Sequence, residues 1–261
     1  MLQLKISLIH VKEKQRQIHS KNILSLFLAL SICIAIIICW KNIAADQEKS
    51  VSVISNSSYT SGTLPTIVID AGHGGRDGGA VGYDNVPEKT YNLKMAKQLQ
   101  VFCQMAGLQT VMTRTEDQDT DGKDNGFYKA TDIKNRIALA EKQKNPIFIS
   151  IHLNSSDSKN NQGFQVFYGL KNEKSQLLAN AMHQAVEQSN LSTRVRDVKS
   201  APQSVYIQKN IKIPSILAEC AFIKNGEDYH LIKDPVYEQK LMFTFLKGIS
   251  EYIHTNLKQE K

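Results

Sequence analysis

Four residues of this 261-residue chain could act together on a metal ion and a water molecule: His73, Glu88, His152 and Glu219. His73 stands in IDAGHGGRDGGAVG (69–82), where six of the chain's fourteen glycines fall within eleven residues. An imidazole amid so much bare backbone suggests a phosphate cradle, a tight turn or a metal site. The phosphate readings fail on spacing. A P-loop needs G-x-x-x-x-G-K-[ST], and no Lys-Ser/Thr pair follows. A dinucleotide turn needs G-x-G-x-x-G, and after Gly72 and Gly74 the third glycine is replaced by Asp77. Two imidazoles with one carboxylate and an open position make a catalytic zinc set. A second carboxylate nearby can serve as general base to an activated water. Each residue alone has an ordinary explanation. A lone histidine is usually a surface or satisfied core group. Glu88 at a helix start suits the helix dipole, and Glu219 could belong to a structural ion pair. Their coincidence at one place is harder to explain that way.

The elements that must bring them together are readable as apolar patterns. Thr66–Asp70 is a buried strand. Leu93, Ala96, Leu99, Phe102/Cys103 and Ala106 mark one face of a helix running from Glu88 to Gly107. LQTVMTR (108–114) is the next strand, and a helix over 132–144 turns Ile133, Ile137 and Ala140 inward. Pro146 opens the strand IFISIH (147–152). A strand at 163–168, a helix at 173–190, a strand at 213–218 and a short helix at 226–233 follow. Asp234-Pro235, an N-cap with proline at the first helical position, starts a last helix running to about Asn256. Strands alternating with crossover helices predict an α/β domain on a mainly parallel, mixed sheet with helices on both faces. Such sheets put their chemistry beyond the carboxyl ends of the strands. His73 follows the first strand, His152 and Glu219 end two others, and Glu88 opens a helix on that same side.

Rival sites are less well supported. DQDTDGKD (117–124) begins like a calcium loop, but its twelfth position is Tyr128 rather than the bidentate glutamate, so it reads as a solvated acidic loop. Cys220 with His152 would make a thiol hydrolase, but strand alternation turns Cys220 to the face opposite Glu219. A Cys103–Cys220 disulfide would need an oxidising compartment, and two cysteines do not make a framework. His183, His230 and His254 fall on or near helical surfaces and are assigned no chemistry.

The net charge of +7 does not indicate nucleic acid. Residues 1–45 carry six Lys/Arg and one acid, and the other 216 residues are nearly balanced. No RNP or zinc-finger pattern is present. The N-terminal charge goes with Ile23–Trp40, eighteen residues without a charged group, about 27 Å as a helix and close to a bilayer core. Lysines and an arginine precede it, so residues 1–22 stay cytoplasmic and the rest is exported. The segment reads as a signal-anchor or a cleaved signal peptide. Residues 41–64 read as a flexible linker and 65–257 as the catalytic domain.

The motifs GHGGRDGGAVG, EKTYNL, FISIHLNSS, GFQVFY and PSILAECAFIKN, in this order over about residues 65–256, resemble the zinc-dependent N-acetylmuramoyl-L-alanine amidases of the amidase-3 type. Within that family the short domain and the GGAVG…EK spacing look most like the amidases of spore-cortex maturation. The resemblance implies a zinc-exopeptidase-like α/β fold and one Zn²⁺ held by His73, Glu88 and His152. It makes Glu219 the catalytic glutamate. The implied substrate is peptidoglycan, cut between the muramic acid lactyl group and the L-alanine of the stem peptide. No wall-binding repeat is found, so targeting falls to the membrane segment or to a protein partner. Where the family often has E-x-G-F-[IL]-S-N, this chain has Glu219-Cys220-Ala221-Phe222-Ile223-Lys224-Asn225, which bears on substrate preference at the rim. The 66 residues between His152 and Glu219 are taken up by a strand, a helix and a loop, leaving no room for an autoinhibitory plug. A zinc carboxypeptidase acting on stem peptides and a non-catalytic wall-binding protein are the alternative readings.

Overall fold

The computed structural model describes residues 64–121, 128–158 and 160–259, the side chains of 257–259 excepted. The basic N-terminus, the apolar segment 23–40 and nearly all of the 41–64 linker lie outside the described residues. No helix among the described residues is long and apolar enough to cross a membrane.

Six strands form one sheet in the order β2-β1-β3-β6-β4-β5. They are β1 (Thr66–Ala71), β2 (Gln109–Met112), β3 (Pro146–Asn154), β4 (Gln165–Tyr168), β5 (Lys199–Ser200) and β6 (Ser215–Phe222). All neighbours are parallel except β4 against β6. The helices are α1 (Glu88–Met105), α2 (Lys129–Glu141), α3 (Lys174–Ser189), α4 (Tyr206–Asn210), α5 (Gly226–Lys233) and α6 (Pro235–Gln259).

Strand alternation divides the sheet into two chemically different faces. Ile67 and Ile69 of β1, Ile149 and Ile151 of β3, and Ile216, Ala218 and Cys220 of β6 point into the main core. There they meet Met95, Ala96, Leu99 and Cys103 of α1, Leu178 and Met182 of α3, and Leu241, Phe245 and Ile249 of α6. The opposite face carries a smaller core of Val68 and Phe148 against Ala140 of α2 and Ile207 of α4. Asp70, Ser150, His152 and Glu219 share the parity of that second face, one step nearer the carboxyl ends. The larger core therefore anchors the sheet, and the smaller leaves the ends of β1, β3 and β6 free for polar groups. Cys220 and Cys103 are both buried and free, so the disulfide is not formed.

Two boundaries differ from the sequence reading in ways that bear on chemistry. His152 and Glu219 do not end their strands: β3 continues to Asn154 and β6 to Phe222, and the two residues are register partners. Hydrogen bonding with the adjacent strand extends both, and the register shifts only between His152 and Asn154. The stretch before β6, read as a loop, holds the two-residue β5 and the five-residue α4. The N-cap of α6 is as read, with Val236 N donating to Asp234 Oδ1 at 2.9 Å.

Candidate metal centre

Glu88 is the centre of the site. It is the first residue of α1 and is only 3% exposed. Oε2 accepts from the backbone amide of Ala80 at 3.0 Å and lies 3.3 Å from His73 Nε2. Oε1 accepts from the amide of Leu153 at 3.0 Å and from Asn92 Nδ2 at 3.1 Å, and lies 3.1 Å from His152 Nδ1. The two imidazoles meet edge to face, with ring centroids 4.9 Å apart. One ligand-type atom from each of His73, Glu88 and His152 falls within 4.8 Å of the others. Two imidazoles and a carboxylate at that separation can bind a divalent ion with nitrogen and oxygen donors.

The glycines do more than bend the loop. A Cβ on Gly72 would lie 2.3 Å from the His152 ring, and one on Gly79 would lie 2.6 Å from Glu88 Oε2. Both positions are bare because a ligand side chain occupies the space. His73 itself takes a φ of +60°, the one residue of 69–82 other than glycine with a positive φ. The acidic loop is also not simply solvated. Asp117 meets Lys89 Nζ at 2.7 Å and accepts from Gly75 N, while Asp119 and Asp121 pair with Arg76. Its remaining predicted positions, 122–124, lie outside the described residues.

The electrostatics follow from this packing. Burial opposes charge on Glu88, but the His152 and His73 contacts hold its carboxyl well below the usual range. Burial likewise opposes charge on His73. Asp77, with Oδ2 3.0 Å from His73 Nδ1, and Glu88 overcome it and push the imidazole up to about 9. Asp77 was not singled out from sequence. Its carboxylate meets the second nitrogen of a candidate ligand histidine in an ionic contact, off the line of a hydrogen bond, so its place four residues after His73 is the signal that could have found it.

Glu219 lies across the strand pair from His152. Its Oε2 is shielded from solvent and has no hydrogen-bond partner. Burial, reinforced by the charge of Glu88 and opposed by the two histidines, raises its carboxyl to about 7. His73, His152 and Glu219 line one cavity of about 220 Å³ together with Asp77, Lys129, Arg136, and Tyr206 and Ile207 of α4. All four sequence-predicted residues are thus brought together. Of the two departures from the family motif, Ala221 is buried, whereas Lys224 is at the surface and pairs with Asp157 at 3.0 Å.

An α/β sheet with this donor set and a shielded carboxylate at its carboxyl edge has the layout of a metal hydrolase. The chain belongs to the Amidase_3 family of N-acetylmuramoyl-L-alanine amidases, which matches residues 67–251, and it is an amidase of that kind. It is similar to the germination-specific N-acetylmuramoyl-L-alanine amidase of Bacillus subtilis, 32% identical over 76% of this chain and 85% of that one. It is 34% identical to the N-acetylmuramoyl-L-alanine amidase LytC of the same organism over 72% of this chain, but spans only 35% of that longer protein. Among solved structures, the CwlD amidase from Clostridioides difficile, in complex with the GerS lipoprotein, superposes with a TM-score of 0.68 and 30% identity. That match covers 73% of this chain and 99% of CwlD.

Proposed function

We propose that this protein is a zinc-dependent, extracytoplasmic amidase that releases stem peptides from peptidoglycan, with His73, Glu88 and His152 as ligands and Glu219 as the catalytic base. The observation that carries this reading is an unbonded, shielded Glu219 Oε2 in the same cavity as His73 and His152, the two imidazoles that cluster with Glu88. It also favours the zinc-exopeptidase-like description of the fold, in which a parallel sheet edge holds the ion.

The donor set fits zinc in number, type and spacing. Zinc bound there would supply Lewis acidity toward the scissile carbonyl and make a water nucleophilic near neutral pH. The protein's own groups do the rest. Asp77, against Nδ1 of His73, leaves Nε2 of that ring to face the site. Glu219 takes the proton of the attacking water and returns it to the L-alanine nitrogen as the C–N bond breaks. An amine leaves only when protonated, so one carboxylate serves both halves of the reaction. Its raised affinity for protons, near 7, suits that exchange.

Digestion of purified peptidoglycan followed by mass spectrometry tests the reaction. Free stem peptides beginning with L-alanine, together with peptide-free glycan, are the expected products. Peptides shortened only at the carboxyl end would indicate a carboxypeptidase instead. No product from zinc-loaded protein would favour a non-catalytic wall binder. The likeness to a germination-specific amidase supports a role in spore-cortex maturation. Spores lacking this protein are then expected to lose muramic δ-lactam from the muropeptide profile, and an unchanged profile would remove the spore assignment. The CwlD–GerS complex favours a protein partner for this chain too. Anchoring through residues 23–40 would keep the enzyme at the outer face of the membrane.

Zinc uptake is expected to release about one proton per ion at pH 7, because the metal-free His73 holds a proton up to about pH 9 and a ligand imidazole must be neutral. The apparent affinity should therefore rise with pH until His73 deprotonates unaided, and weaken as pH falls. Calorimetry in buffers of different ionisation enthalpy measures this directly. Uptake without proton release would contradict the ionic contact drawn between His73, Asp77 and Glu88.

A further inference from the structure

Arg114 and Arg136 are almost wholly buried, at 1% and 3% exposure, and both point their donors at the chain segment that carries His73. Arg114 follows β2. Its Nε donates to Ala71 O at 2.9 Å, and its Nη1 to Glu116 O at 3.0 Å. Its Nη2 donates both to Gly72 O at 3.1 Å and to Lys89 O at 2.8 Å. One nitrogen therefore joins the residue before His73 to the residue after Glu88. Arg136, on the inward face of α2, donates from Nη1 to Ala71 O at 2.9 Å and from Nη2 to His73 O at 2.7 Å. Its charge is met by Asp70 at 2.8 Å and Asp132 at 2.9 Å. Arg114 has no carboxylate in such contact among the described residues, so its buried cation is satisfied by carbonyls alone.

This arrangement is costly to build and demands a return. A buried guanidinium is stabilised only where its rigid fork is met by acceptors. Three successive carbonyls, of residues 71, 72 and 73, supply them. His73 holds a φ of +60°, which a residue with a Cβ keeps only when its surroundings over-determine it. Gly74 makes the close approach possible, since a Cβ there would lie 2.7 Å from Arg114 Cδ.

We propose that Arg114 and Arg136 are positioning residues for the metal centre: together they fix the backbone of His73 and its separation from Glu88 before any ion arrives. The proposal rests on the zinc reading above. Loss of either fork leaves the ion to order the loop itself, which lowers affinity without removing a ligand.

The test uses the full chain and zinc alone, titrated in competition with a chromogenic chelator. Arg114→Lys and Arg136→Lys keep the charge but cannot span the same carbonyls. Leu241→Ala, in the main core on the other face, controls for a general loss of stability. Each lysine variant is expected to bind zinc about tenfold more weakly or worse than the control. The visible bands of the cobalt-loaded variants are expected to change in position and intensity, because the ligand geometry relaxes. Affinities within about twofold of Leu241→Ala, with cobalt spectra matching the native protein, would overturn the proposal, since a purely structural role predicts that result. If one lysine variant does not fold, the other carries the comparison. Native protein that takes up no zinc would overturn the metal reading as well, so the two failures are distinguishable.

Discussion

Glu219→Gln is expected to retain zinc at full stoichiometry while amide hydrolysis falls by roughly 10²–10⁴-fold, the usual contribution of a positioned acid–base group. The substitution keeps the shape of a side chain that accepts no hydrogen bond at Oε2 and lies beside, not within, the His73–Glu88–His152 cluster. Strand pairing holds residue 219 opposite His152 whatever its side chain, so the ligands should not move. The amide cannot accept the water proton or return it to the departing amine. Metal content by atomic spectrometry and peptide release by mass spectrometry read the two effects separately. Normal cleavage would remove Glu219 from the mechanism. Loss of zinc would make Glu219 a ligand rather than the base.

His73→Ala is expected to abolish both properties at once: zinc occupancy is lost and peptide release falls to background. His73 supplies one of three donors, and among the described residues no histidine beyond His73 and His152 belongs to the cluster. The loop itself should persist. Its carbonyls remain held by Arg114 and Arg136, which bond the backbone rather than the ring. Circular dichroism and thermal unfolding should therefore stay close to native, separating loss of the metal from loss of the fold. Retained zinc together with retained turnover would sink the ligand assignment outright.

Much of this was legible in the chain alone. The alternation in IFISIHLN and SILAECAF fixes which side chains share a face. It sends Cys220 into the main core and puts His152 with Glu219, as the structure shows. Alternation is a local property of extended backbone, so it survives into the fold. Strand ends were less legible. The lengths of β3 and β6 depend on hydrogen bonds with a neighbouring strand, and no local signal marks where those bonds stop. The arginines could have been suspected. Arg136 sits at helical spacing between Ile133 and Ala140, on the inward face, which marks a buried charge in need of partners. Those partners, the carbonyls of residues 71 and 73, lie more than sixty positions away in sequence and have no side-chain signature.

The sequence by itself therefore determined the inventory: two imidazoles, two carboxylates, an α/β order of elements and a glycine-rich turn after the first strand. Residue type and short-range periodicity are written directly in the chain. Tertiary structure alone decided the relations among them. It set Glu88 between the two rings, Asp77 behind His73, and bare glycines where ligand side chains needed room. It also turned two buried guanidinium groups onto the backbone that bears the first candidate ligand. Those relations depend on distances between segments remote in sequence, and such distances exist only once the sheet has closed and its two faces have been packed.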